Sequence, residues 1–286
     1  MPKPTLKRKD KGEAVVELQS LLNRVGAMLI ADGDFGLATE TGVKYAQDFA
    51  GQTVTGIANQ MLWDWLIPQP EPFPRLKTNG VAFIAAEETG GLGYYNKITK
   101  WPHYPGTASG ITIGVGYDLR WNTEQDFFTT WGEHLSRPTL VELAKDIGKP
   151  GTRKRAMELK GAGIEVPFKS AWAVFIRRNL PDFYTQTQTI YPSLDRVPDY
   201  CRTVLVSLVF NRGTDLTGTR RKEMKNIQTI LNNADQAGLS KTQSKRILED
   251  VENEIVSMKR LWVSSSGLVK RRQAEANLWR TGLDQW

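Results

Sequence analysis

The sequence predicts a mainly α, α+β protein in which a small three-helix domain precedes a larger helical body with one short β-element. Three observations lead there. Segments with the 3.6-residue apolar period of amphipathic helices recur along the 286 residues. A single stretch, residues 110–120 (GITIGVGYDLR), alternates instead with the two-residue period of a strand. Prolines at 68, 70, 72 and 74 interrupt both patterns and mark a break between two bodies.

The elements follow in order. Within residues 13–26, Val15, Leu18, Leu22 and Val25 form one apolar stripe, which predicts a helix with one buried face. The turn-rich ADGDFG comes next, then helical segments at TETGVKYAQDFAG and ANQMLWDWL. These make a first domain over residues 1–67. Alternating prolines favour an extended polyproline segment of ~3.1 Å per residue, so residues 68–76 read as a semi-rigid linker. Residues 77–286 form the second domain. It opens on TNGVAFIAAEETGG, a helix with a Thr or Asn cap and a Gly-Gly stop. After an aromatic loop and the strand, the pattern stays helical through KSAWAVFIRRN, CRTVLVSLVFNRG, KRILEDVENEIVSMKRLW and LVKRRQAEANLWRTG. One β-element in such a body gives the α+β class.

An apolar content of 40% and a mean hydropathy of -0.41 describe a chain able to bury a sizeable core. No run of 18 apolar residues is present, so no stable membrane insertion is expected. One cysteine, Cys201, excludes an internal disulfide. The net charge is +7, and it is unevenly spread. Residues 1–70 hold 7 Lys and Arg against 8 Asp and Glu, so the remaining 216 residues carry the whole surplus. A basic surface concentrates polyanions, and nucleic acid and bacterial cell wall both qualify.

The strand carries an anomaly. Ile111, Ile113, Val115 and Tyr117 form an ordinary core face, while Thr112, Gly114, Gly116 and Asp118 leave the other side almost without bulk. A glycine-kinked hairpin explains this, and so does the close approach of a ligand to the backbone. Thr112 and Asp118 can share a site only if the two glycines let the chain turn back; otherwise Asp118 caps or pairs structurally. In the helix before the strand, Val81, Ile84, Ala85 and Glu88 share one face, so Glu88 points inward, with Glu87 as its rival. A half-buried carboxyl at a helix C-terminus is in a setting that favours the protonated form, as a general acid requires. A solvated residue in a fraying last turn fits the same spacing. His103, His134 and Cys201 match no zinc signature, no Gly-rich phosphate loop is present, and Cys201 sits in an apolar helical stretch. Neither a metal nor a cofactor is expected.

Two family resemblances join these pieces. Residues 6–51 and the later GIANQMLWDWL resemble the three-helix peptidoglycan-binding domain of cell-wall hydrolases, through the V..LQ..L helix and the DGDFG..T turn. The second helix reads YAQDF where that family usually has FQ. The remainder resembles the phage-type lysozymes of glycoside hydrolase family 24, in their pesticin-like branch. It does so through AAEETGG, SGITIGVGYDLR, VLVSLVFNRG and MKRLW followed by GLVKRRQAEANLW, in that order.

The resemblance implies a muramidase that cleaves the β-1,4 bond between N-acetylmuramic acid and N-acetylglucosamine, with inversion. It implies Glu88 as proton donor, Thr112 as the residue that positions the attacking water, and Asp118 as the second acidic group. Gly114, Gly116 and Tyr117 would lie along the glycan, and Asn211 and Arg212 at a helix start that supports the glutamate and faces substrate. Many phage lysozymes carry their second acid between the helix and the threonine, but residues 89–111 contain no Asp or Glu. The base role therefore falls to Asp118 or to no residue, which keeps a lytic transglycosylase open; a wall-binding or nucleic-acid-binding protein without activity and a Cys- or zinc-dependent amidase are the further alternatives. The expected partner is peptidoglycan rather than nucleic acid, and the chain is expected to be a monomer. It would be made in a bacterial cytoplasm without a signal peptide, reaching the wall through a holin-type pore or a secretion machine.

Overall fold

The computed structural model describes residues 2–106 and 108–286. It is mainly helical, and among the described residues its one sheet is a two-stranded hairpin, as the fold class requires. Packing divides the chain into two compact units. The first holds the chain up to Pro74 together with Val81–Leu180, and the second holds Arg75–Gly80 with Pro181–Trp286. The small domain thus shares a unit with residues 81–180, although the proline run suggests a spacer between separate bodies.

The first unit begins with α1 (Glu13–Arg24), in which Val15, Leu18 and Leu22 are fully buried, with Val25 just beyond the helix. Helices α2 (Leu37–Phe49) and α3 (Gln60–Leu66) close over this stripe, and Phe35, Val43, Ala46, Leu62 and Trp63 complete the core. The Asn59 side chain caps α3 by accepting the Leu62 N–H.

Two sets of contacts act at the end of α1, and the second of them joins the small domain to residues beyond the proline run. The Arg24 guanidinium donates to the carbonyls of Ile67 and Gln69, each at 3.0 Å, and pairs with Glu71 at 2.7 Å. These bonds hold the start of the proline segment against α1. Gly26 then makes the closest approach, at φ +96°: an added Cβ would lie 2.7 Å from the Trp172 ring and 2.9 Å from that of Phe168. Beside it Tyr45 meets Phe168 edge-on at 5.5 Å, and the Lys169 ammonium lies 4.3 Å from the Phe49 ring centre. Gly26→Ala must overpack this contact in a left-handed backbone conformation, so a loss of about 2–4 kcal/mol is expected. Denaturant unfolding measures it; a cost below about 0.5 kcal/mol would mean that the aromatic pair moves aside freely.

Helix α4 (Thr78–Thr89) runs into the short α5 (Leu92–Tyr94) and a π-turn at Tyr95–Thr99. Strands β1 (Thr112–Ile113) and β2 (Tyr117–Asp118) pair antiparallel, and the chain continues through a 3-10 turn at Leu119–Trp121. Next come α6 (Glu124–Trp131), α7 (Arg137–Ala144) and α8 (Arg153–Gly161), capped by the side chains of Thr123, Ser136 and Thr152. Then α9 (Phe168–Val174) passes through a π-segment, Phe175–Asn179, into α10 (Leu180–Ile190).

The second unit is built on α11 (Asp199–Arg212), whose residues from Thr203 to Val209 are all buried. Around it lie α12 (Lys222–Ala234), α13 (Lys241–Ser257) and α14 (Ser266–Asp284). Helices α11 and α14 cross so closely that a Cβ on Gly282 would sit 2.8 Å from the Cys201 sulfur. Cys201 is fully buried there, and burial pushes its thiol pKa up, which suits a core residue rather than a nucleophile. No helix among the described residues is long and apolar enough to cross a membrane.

Candidate active site

The apolar face of residues 110–118 behaves as its period predicts: Ile111, Ile113, Val115 and Tyr117 are all buried. The stretch is not one continuous strand, however. Gly114 at φ +58° and Gly116 at φ +72° take left-handed conformations, which glycine adopts without the steric cost other residues incur, and the chain reverses between them. The reversal sets Thr112 directly opposite Asp118 and Ile113 opposite Tyr117. Asn179, itself buried, donates to the Val115 carbonyl at 2.8 Å and fixes the tip.

The space left by the glycines is partly taken by the protein itself. Gly114 is buried, and an added Cβ would meet the Trp131 ring at 2.8 Å, so its missing side chain makes room for Trp131 and not for a glycan. Gly151 packs backbone to backbone on Gly110, where its Cβ would meet the Gly110 carbonyl at 2.5 Å. Gly116 is exposed. Tyr117 lies edge-on against Trp131 at 5.5 Å, and burial pushes its phenol up to about 12. It is a core residue and offers no ring face to a substrate.

Thr112 is held from both sides. Besides facing Asp118, its backbone exchanges N–H···O bonds with His103 at 2.8 and 3.0 Å, and the residue is 6% exposed. From the sequence, His103 is a candidate only as a metal ligand or as a partner for Cys201; its place beside Thr112 follows from a pairing across nine residues that no local pattern announces. The His103 Nδ1 lies 3.3 Å from the Trp101 carbonyl oxygen, and burial holds its imidazole pKa below the ordinary value.

Asp118 has a structural task. Its carboxylate accepts the Gly110 N–H across both oxygens, at 2.9 and 3.0 Å, and the Arg120 N–H at 2.9 Å. It closes the hairpin and caps the 3-10 turn. Two backbone donors occupy three contacts, which leaves acceptor capacity on Oδ2, since a carboxylate offers about four lone-pair sites.

Glu88 sits in the last turn of α4, where Val81, Ile84 and Ala85 are fully buried and extend the stripe predicted for it. Glu88 and Glu87 are both half-buried. The Oε1 atom of Glu88 lies out of contact with solvent. The following residue, Thr89, is buried with its Oγ1 3.2 Å from the Met28 sulfur.

Asn211 and Arg212 do not begin a helix: they end α11, and Gly213 follows at φ +72°. The Gly after Arg212 is the signal that could have shown this, because helices commonly stop on a left-handed glycine. Arg212 is buried, with its Nε donating to the Met224 sulfur at 3.2 Å, another N–H to the Arg220 carbonyl, and the Trp262 ring 5.0 Å away. Burial lowers its guanidinium pKa to about 10. Its donors are engaged inside the second unit.

The N-terminal helices carry a second set of buried polar groups. Gln19 donates to the Asp32 carboxylate (2.9 Å), the Asp34 carbonyl (3.1 Å) and the Thr39 hydroxyl (3.0 Å), and accepts the Gly33 N–H (2.9 Å). One glutamine thereby ties the whole DGDFG..T turn to α1. The Asp34 N–H and Gln19 hold the Asp32 carboxyl below the usual carboxylate range. Gln47 does the same on α2. It donates to the Thr55 hydroxyl and the Ile57 carbonyl, both at 3.0 Å, and accepts from the Thr55 and Gly56 N–H groups, both at 2.9 Å. The glutamine of YAQDF therefore serves the turn after its helix as that of ELQSL serves the first.

The model of the peptidoglycan-binding domain family matches residues 11–66. These residues are a peptidoglycan-binding domain. The matched span contains Gln19, the DGDFG turn, Gln47 and all three helices, so the domain's sequence signature is also its hydrogen-bond framework. It gives the chain a cell-wall partner. Glu88, Thr112 and Asp118 lie beyond the peptidoglycan-binding domain, and no curated protein matches the chain.

Proposed function

We propose that the chain is a peptidoglycan hydrolase that cleaves the β-1,4 bond between N-acetylmuramic acid and N-acetylglucosamine. The observation that carries this reading is the glycine-pivoted hairpin, which sets Thr112 opposite Asp118 in the same compact unit as the peptidoglycan-binding domain and Glu88. Glu88 gives its proton to the glycosidic oxygen as the bond from that oxygen to C1 breaks. A water held by the Thr112 hydroxyl attacks C1 from the other side of the sugar, and its proton leaves through the remaining acceptor site on Asp118. A bare Thr hydroxyl is a poor nucleophile but a good anchor for one water, since it both donates and accepts.

A second reading is favoured by one observation. Two backbone N–H groups already engage the Asp118 carboxylate, so the chemistry can run on a single carboxyl group. Glu88 alone would then first protonate the glycosidic oxygen and next take the proton from the muramic 6-hydroxyl as that oxygen closes on C1, the course of a lytic transglycosylase. Mass analysis of fragments released from purified peptidoglycan separates the two. Reducing muramic ends are expected. Ends 18 Da lighter, with a 1,6-anhydro ring, would replace hydrolysis by transglycosylation. Freed stem peptides with intact glycan would overturn both readings.

A further inference from the structure

Beside the hairpin stands a side chain that the reaction outlined above does not use. Trp121 is 68% exposed, and among the described residues it is the one exposed tryptophan. Trp63, Trp131, Trp172 and Trp279 are buried in the core, and Trp101, half-buried, has both Lys100 and Lys160 over its ring at 4.6 and 5.8 Å.

An isolated exposed apolar residue is ordinary on a protein surface, so exposure alone says nothing. The support beneath Trp121 is what distinguishes it. The 3-10 turn that carries it is capped by Asp118 and rooted by Leu119, which is fully buried and bonded to the Ile111 carbonyl at 2.9 Å. Asn122 closes the far side, donating to the Asp118 carbonyl at 2.7 Å. The Arg120 guanidinium lies 4.6 Å from the indole centre and is itself held by the Ala108 carbonyl at 2.7 Å. The backbone under the indole is fixed from three directions, and the Arg120 guanidinium lies over one face of a ring that stays largely exposed, so a sugar would use the opposite face. Ordering of that turn has already taken place before any ligand arrives, which reduces the entropy lost on binding.

We propose that Trp121 and Arg120 form a glycan subsite: an N-acetylated hexosamine lies flat on the indole, and a carboxylate on the neighbouring sugar pairs with the guanidinium. The ligand class follows from the chemistry. An indole face takes the apolar face of a pyranose ring, and a guanidinium beside it favours a sugar that bears a carboxylate. Within the same compact unit lies the peptidoglycan-binding domain, whose ligand is a polymer of such sugars. The subsite's place along the substrate rests on the hydrolase reading, because Trp121 follows Asp118 by three residues.

The test is a binding measurement, so it does not require turnover. The full chain carrying Glu88→Gln is titrated by calorimetry with a soluble tetrasaccharide of alternating N-acetylglucosamine and N-acetylmuramic acid. Adding Trp121→Ala is expected to weaken binding about tenfold, and Trp121→Phe less. Arg120→Gln is expected to weaken binding of that acidic probe while leaving the neutral N-acetylglucosamine tetramer unaffected. Because Trp121 is exposed, its replacement should leave the melting temperature unchanged, which separates lost contact from lost fold. Unchanged affinity in Trp121→Ala overturns the subsite. Equal weakening of both probes by Arg120→Gln overturns the carboxylate pairing. If wild-type chain releases no glycan fragments but Trp121 still governs affinity, the hydrolase reading fails and the subsite stands.

Discussion

Glu88→Gln is expected to lower the rate of glycan cleavage by ~10²–10⁴-fold, the usual contribution of a general acid, while binding to insoluble walls and thermal stability stay as in wild type. The amide has nearly the same shape as the carboxyl and can still donate a hydrogen bond, but it has no proton to transfer. Stability should be insensitive because the change keeps the packing of a half-buried side chain at the end of α4. Wall binding should be insensitive because the peptidoglycan-binding domain spans residues 11–66 and does not include Glu88. Turbidity loss of a wall suspension and a pelleting assay read the two properties separately. Glu87→Gln is the control, since Glu87 is also half-buried and shares the same helical turn. Loss of cleavage in Glu87→Gln with full activity in Glu88→Gln would move the proton donor by one residue. Full activity in both would remove this helix from the chemistry.

The second large effect concerns the buried polar layer of α11 and α14. Glu275 has no solvent exposure, and its carboxylate is shared by Ser207 (2.7 Å), Arg271 (3.2 Å) and Arg272 (2.7 Å). Arg271 and Arg272 are themselves 4% and 0% exposed. Glu275→Ala removes the negative charge both guanidiniums face and leaves a cavity beside two buried cations. Breaking a buried ion pair from one side costs about 3–5 kcal/mol, a large fraction of the ~5–15 kcal/mol that holds a typical protein folded. Urea unfolding followed by circular dichroism should show this loss. Glu275→Gln retains an acceptor for Ser207 and is expected to lose less, which keeps the effect measurable should the alanine variant fail to fold. A loss below about 1 kcal/mol in Glu275→Ala would mean that water reaches this layer and screens the cations. Burying two arginines with one glutamate is a costly arrangement that apolar residues could often replace, so its presence needs a reason other than stability.

How much of this was legible in the sequence differs from element to element. Val15, Leu18 and Leu22 are buried as their spacing predicts, because a helix presents i, i+3 and i+7 to one side whatever it packs on, and Val25 is buried just past the helix end. The same logic buried Ile111, Ile113, Val115 and Tyr117 even though the strand they predict is broken by a turn: the hairpin keeps alternate residues on one face. Where the chain reverses was open. Gly114 and Gly116 permit a left-handed backbone without requiring one, and what fixed it was Trp131 filling the space over Gly114 and Asn179 holding Val115. Asp118 shows the same division. An aspartate before a short turn has the form of a cap, yet its bond to Gly110 exists only because the hairpin brings position 110 beside it.

By itself, then, the sequence determined the helical class, the buried faces, the single β-element and the wall-binding domain, since these depend on periodicity and on hydrogen bonds between residues close in the chain. Gln19 reaches the turn 13 to 20 residues on, and Gln47 the turn 8 to 10 residues on, so the signature and the structure are nearly the same object. The tertiary structure alone decided three things. Residues before the proline run share a compact unit with those after it, because Gly26 leaves room for Trp172 across 146 positions. The empty face of the strand is partly filled from within, by Trp131. And Asn211 and Arg212 close a helix instead of opening one, with Arg212 committed to Met224, Arg220 and Trp262. Each of these depends on which distant side chain occupies a given volume, and packing of that kind leaves no periodic trace in the chain that folds into it.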